Sequence, residues 1–225
     1  MKILAVDTSG FTGSVAVSDD RVLMEERQLP VEGRRHAQTL VSAADELLKA
    51  HSLKPGDIDA VAVSVGPGSF TGLRVGVVFA KTFAWANQAK LLAVDTLRAV
   101  AQQTVDEPVV TAISDAQRKE VFVSTFKWDP QAKVRFVVEA VRIEPIGTVV
   151  ESVERETVWT GPGLSKFGEQ LAGQRMVEES LWNPQAGTIA ELGSVMLQQN
   201  QSASVHMLEP VYIRRSYAEE NAARQ

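Results

Sequence analysis

Apolar residues fall in short runs along the chain, each closed by turn-forming residues. KILAV (2–6) ends at Asp7-Thr8-Ser9-Gly10, SVAVS (14–18) ends at Asp19-Asp20, and RVLMEER (21–27) follows. Three such runs with polar turns predict an antiparallel meander. RHAQTLVSAADELLKAH (35–51) places Leu40, Val41, Ala44, Leu47 and Leu48 at helical spacing, which predicts an amphipathic helix. A strand at 58–65, a glycine-rich loop, a helix at 71–88, a strand at 91–95 and a helix from 96 complete the first half.

The second half repeats this order. VVTAIS (109–114), VFVSTF (121–126) and VRFVVEAVRI (134–143) read as strands, with DAQRKE turning between the first two. A short helix at 145–153, a strand TVWT (157–160), a helix at 164–172, a strand RMVEE (175–179) and a helix at 188–199 follow. Two copies of βββαβαβα predict two similar α/β domains with mixed sheets flanked by helices. The expected division is 1–104 and 105–215, around Glu107-Pro108, with 216–225 as a solvated tail. LEPVYIRR (208–215) is expected to return and pack on the body.

Composition narrows the function more than the fold. The chain has 225 residues, a net charge of −5 and no cysteine. Its acidic balance stands against unassisted nucleic-acid binding. The lack of cysteine removes disulfides, a thiolate nucleophile and cysteine metal sites. No apolar run is long enough for a signal peptide or a membrane span, so a cytoplasmic protein is expected.

The loop GPGSFTGLRVG (66–76) is the strongest local feature. A strand, a glycine turn and a helix start can cradle a phosphate, and Ser69 or Thr71 can cap the helix. The specific nucleotide codes fail: Gly72 is followed by Leu73-Arg74, and Thr71 stands at the third glycine position of a dinucleotide loop. A tight turn with close backbone packing is the competing reading. The helix that follows is apolar over roughly 260° of its circumference, with Arg74, Lys81 and Gln88 clustered opposite and Trp85 beside them. Gly72, Gly76, Ala80 and Ala84 recur every four residues as a small-residue ridge. Either this helix is sandwiched inside its own domain, or one face is buried against another subunit.

Other candidates are weaker. His36, His51 and His206 have no helical zinc spacing. Asp7 can orient a hydrated metal ion near a phosphate, or simply open a turn. Asp115, Arg118 and Glu120 form a charged hairpin tip, and Arg34-Arg35 open a helix where cations are disfavoured.

The duplicated α/β pattern and VDTS at the first hairpin resemble the actin-like ATPase superfamily, with its ribonuclease-H-like domains. More narrowly, ILAVDTS, RRH (34–36), GPGSFTGLRVG, DAQRKEVF (115–122) and EPVYIRR (209–215) resemble the TsaB (YeaZ) family over nearly the whole chain, in order. The resemblance implies a subunit without chemistry of its own. It would pair with the catalytic paralogue TsaD and act with the ATPase TsaE in threonylcarbamoyl transfer to adenosine in tRNA, touching tRNA only through the complex. It implies a pairing surface on the helices near 34–50 and 71–87, assigned to His36, Leu40, Gly72, Gly76, Ala80, Phe83 and Ala84. The same surface would support a homodimer in isolation. ATP or ADP is expected, if anywhere, at the shared interface near Asp7, Thr8, Gly68, Ser69 and Arg118, with no cofactor or metal held by the chain alone. Gln117 departs from the family's usual arginine, leaving Arg118 beside it. A self-sufficient actin-like phosphotransferase using Asp7 and a metalloprotease are the alternative enzyme readings.

Overall fold

Strand β1 (Lys2–Asp7) is apolar from Ile3 to Val6 and buried on both faces, so it occupies the middle of a sheet. The computed structural model describes residues 1–29, 36–153 and 156–214. Strands β2 (Ser14–Asp19) and β3 (Val22–Gln28) continue from β1 as the expected meander, with Leu4 opposite Val17 and Val15 opposite Arg27. Strands β4 (Ala60–Ser64) and β5 (Lys90–Val94) add in parallel on the other side of β1, giving the order β3-β2-β1-β4-β5. Helices α1 (His36–Ala50) and α2 (Phe70–Asn87) cover one face of this sheet. Arg34 and Arg35 lie outside the described residues, as does the expected tail.

The second sheet, in the order β8-β7-β6-β9, repeats the mixed plan with β6 (Val109–Asp115), β7 (Glu120–Asp129), β8 (Val134–Pro145) and β9 (Val158–Thr160). Its β6-β7-β8 meander is antiparallel and β9 runs parallel to β6. Helices α4 (Ile146–Ser152) and α5 (Leu164–Phe167) close one face over Trp159, Val123 and Ile113. The run at 175–179 does not form the expected strand; only Met176 bridges Trp159, because β9 is three residues long and offers little edge to pair with. The helix expected over 164–172 keeps one α turn and tightens into a 3₁₀ turn from Gly168.

The last helix of each half crosses to the other half's sheet. Helix α3 (Thr96–Gln102) sends Leu97 and Ala101 against Val110, Ala112 and Phe126 of the second sheet. Helix α6 (Ala186–Gln198) sends Ile189, Ala190 and Leu192 against Ile3, Ala5, Ala16 and Ala62 of the first. A Cβ on Gly193 would lie 2.9 Å from the Ala62 methyl, so α6 sits directly on β4.

Between the sheets, the connection after α3 wraps the fully buried Arg135. Its guanidinium donates to the carbonyl oxygens of Ala101 at 2.8 Å and Pro108 at 3.5 Å, and to those of Thr104 and Glu107. Its backbone N–H donates to Gln102 Oε1 at 2.8 Å. Burial lowers its pKa to about 10, which leaves it charged at neutral pH.

Candidate functional site

The C-terminal end of β1 is where an actin-like reading expects chemistry, and there Asp7 is closed in. Asp7 pairs with Ser14 across the meander. Its Oδ1 accepts from the Ser64 hydroxyl at 2.5 Å, the Ser9 hydroxyl at 2.7 Å and the Ser9 backbone N–H at 3.2 Å. Its Oδ2 is buried with no partner among the described residues. Burial pushes the carboxyl above its ordinary range, against the hydrogen bonds from Ser64 and Ser9, with a further upward push from Glu26. A carboxylate that is 0% exposed and already holds two hydroxyls is not presented to a hydrated cation.

The glycine loop lies directly on the turn that follows Asp7. Ser69 N–H donates to Ser9 O at 2.7 Å, and the Thr8 hydroxyl donates to Gly72 O at 2.7 Å. A Cβ on Gly68 would sit 2.6 Å from Ser9 O, one on Gly72 1.9 Å from Thr8 O, and one on Gly76 2.4 Å from Thr8 Oγ1. The glycines are therefore there so that 8–9 can touch the start of α2. Ser69 caps α2, accepting from Gly72 N–H at 3.2 Å. Asp7, Thr8, Gly68 and Ser69 thus come together as a packed joint. Arg118 stands exposed on the β6–β7 turn of the other sheet, after Gln117 and before Lys119, with all three at positive φ.

The small-residue ridge requires a correction. Gly72, Gly76, Ala80 and Ala84 are all buried within the chain, facing the sheet and the Thr8 turn, so they form no docking surface. Leu40 is likewise a core residue, 1% exposed beneath α1, and Phe83 packs half-buried between α1 and the sheet. The side chain of His36 lies outside the described residues.

The wide apolar arc of α2 divides three ways. One third meets the sheet, a second (Val75, Phe79, Phe83) meets the α1 core, and the third carries Val78 and Trp85 into solvent at 62% and 71% exposure. On α1, Val41 is 59% exposed. The opposing stripe of Arg74 and Lys81, read as polar surface, holds the returning C-terminal segment. Arg74 lies 3.9 Å over the Phe70 ring and donates through Nε to Tyr212 Oη at 2.9 Å, while Phe70 and Tyr212 rings stand 4.7 Å apart. Lys81 Nζ donates to Leu208 O at 2.9 Å and His206 O at 3.3 Å, and Val211 N–H donates to Val65 O at 2.7 Å. Arg214 then pairs with Glu120 at the β6–β7 hairpin. The aromatic and cationic residues of 208–215 were the available signal for this strap; its seat on α2 was not.

His51 Nε2 is 2.8 Å from Glu25 Oε2 beside the first sheet. Among the described residues no group of three His, Asp or Glu side chains is placed to hold a metal, and no helix is long and apolar enough to cross a membrane.

Two mixed sheets with exchanged terminal helices define an α/β protein of the YeaZ fold. The solved structure of YeaZ from Pseudomonas aeruginosa superposes with a TM-score of 0.80 at 23% identity, covering 94% of this chain and 99% of that one. The family model described as TsaD, tRNA N6-adenosine threonylcarbamoyltransferase, matches residues 30–142. The tRNA threonylcarbamoyladenosine biosynthesis protein TsaB of Bacillus subtilis is 28% identical over 97% of this chain and 96% of its own length. The tRNA N6-adenosine threonylcarbamoyltransferase of Streptococcus uberis is 30% identical over 76% of this chain but only 55% of its own length. The chain belongs to this TsaD-related family, and within it to the TsaB (YeaZ) group.

Proposed function

We propose that the chain serves tRNA threonylcarbamoyladenosine biosynthesis as a non-catalytic subunit that docks a TsaD-type partner through the outer face of α1 and α2. The observation that carries the reading is the exposed apolar pair Val78 and Trp85 on α2, with Val41 of α1 exposed as well. Large apolar side chains left at this exposure in an otherwise packed helix pair are what a partner helix would bury. The buried, hydroxyl-bound Asp7 supports a subunit without phosphotransfer chemistry of its own. On this reading ATP or ADP enters only at the junction with the partner, near the exposed Ser69, and TsaE joins the assembled pair.

The test is co-purification with a TsaD-type partner, with and without TsaE and ATP. Wild type should be retained and Trp85→Arg should not. Retention of Trp85→Arg and Val78→Arg at wild-type levels would overturn the assigned face. Metal-dependent ATP turnover by the isolated chain, abolished by Asp7→Asn, would overturn the non-catalytic role.

A further inference from the structure

A second feature lies on the opposite face of the first sheet, away from α1 and α2. Between the β2–β3 ribbon and the first turns of α6 is an open cavity of about 210 Å³, lined by Ser18, Arg21, Glu26, Gln185, Thr188 and Glu191. It is smaller than the sites that take drug-sized ligands. Gly187 and the apolar Leu23 complete the wall, whose polar side chains carry both signs of charge. Glu26 is fixed on one side by the α6 backbone, accepting from Ala186 N–H at 2.9 Å and Gly187 N–H at 3.1 Å. A Cβ on Gly187 would come within 2.8 Å of that carboxylate, so the glycine is what allows the approach. Glu191 is fixed by Gln102, a buried amide that also holds Lys133 O and the Arg135 N–H. Arg21, set at φ +68° in the β2–β3 turn, stops 4.0 Å from Glu191 Oε1, the outer limit of an ion pair.

The second observation is Ser18. Its residue is 2% exposed, it lies on the α6 side of the sheet with Ile3 and Ala16, and its hydroxyl has no partner among the described residues. A buried hydroxyl at a polar cavity wall costs free energy until something bonds to it. We propose that this cavity binds a small zwitterion of the free α-amino acid class, its ammonium group between Glu191, Glu26 and the Ser18 hydroxyl and its carboxylate on Arg21. The two fixed carboxylates supply acceptors that the single arginine does not neutralise, and a carboxylate on the guanidinium completes the charge balance that the loose Arg21–Glu191 pair leaves open. An anion alone would face two carboxylates, and a cation alone would leave Arg21 without its partner.

The experiment titrates the isolated, isotopically labelled chain with L-alanine and L-serine, and with ethylammonium and acetate as half-ligands, following the amide resonances of Arg21, Gly187 and Thr188. The amino acids should give saturable shifts at millimolar concentration, with each half-ligand weaker by about tenfold or more. Arg21→Gln should erase the advantage of the amino acids over ethylammonium, and Glu191→Gln their advantage over acetate. Ser18→Ala should weaken binding while raising the unfolding midpoint of the unliganded chain, a pairing of opposite signs that a structural role would not give. The absence of saturable shifts, a half-ligand that binds as well as the amino acids, or binding unchanged in both charge variants would each overturn the proposal.

Discussion

The carbonyl oxygen of Thr8 lies 1.9 Å from where a Cβ on Gly72 would be, and the obstructing atom is backbone on a buried turn. Neither partner can yield without moving β1 or α2. Gly72→Ala should therefore cost about 3 kcal/mol or more, although alanine favours helix elsewhere. Urea denaturation checks this; Gly56→Ala, with open space around the added methyl, is the control.

Burial separates the two sides of α2 as experimental targets. Val78→Arg and Trp85→Arg change solvent-facing positions and should leave stability within about 0.5 kcal/mol of wild type, while removing partner binding. Ala80→Arg, at a position 0% exposed against the sheet, should leave no folded protein. Circular dichroism and size-exclusion chromatography with the partner distinguish the two classes.

Asp7 gives a pH signature of defined sign. Its folded-state pKa is raised by burial above the ordinary value of 3.8, so the folded chain holds this proton to higher pH than the unfolded chain does. Its contribution is most favourable below that ordinary value, is lost as pH rises through the folded pKa, and stays lost above it. Asp7→Asn keeps the Oδ1 acceptor for Ser9 and Ser64 without a charge. The variant should be more stable than wild type at neutral pH, with the gap closing as pH falls. Urea midpoints measured across that range provide the check.

Arg135 donates to four carbonyl oxygens, those of Ala101, Thr104, Glu107 and Pro108. Lysine keeps the charge but cannot span the fork, so Arg135→Lys should cost about 3 kcal/mol. Hydrogen exchange should rise over 101–108, which the guanidinium now ties down.

Most strands were legible because short apolar runs closed by turn residues report burial: KILAV and IDAVAVSV became β1 and β4, whereas the run at 175–179 read as a strand and makes a single bridge. Helix α2 was legible as a helix and as apolar around most of its surface. Which arc met what was not, because periodicity gives the angle between side chains and not the direction of the sheet. Gly72 and Gly76 looked like a seat for a foreign helix, and they are a seat for Thr8, a residue more than sixty positions earlier. Lys81 looked like a solvated cation and binds two carbonyls of a segment beyond residue 200. Ser18 and Glu191 carried no sequence signal, since the cavity between them exists only once α6 has crossed to the first sheet.

That crossing also sets a timetable. The sheet begun by Lys2–Asp7 receives one of its two coverings from Ala186–Gln198, so during synthesis the face formed by Ile3, Ala5, Ala16 and Ala62 waits for nearly the whole chain to be made. At ordinary ribosomal speed the wait is roughly ten seconds or more. Through that interval the nascent chain carries an unroofed apolar sheet, the kind of surface that exposes a folding chain to aggregation.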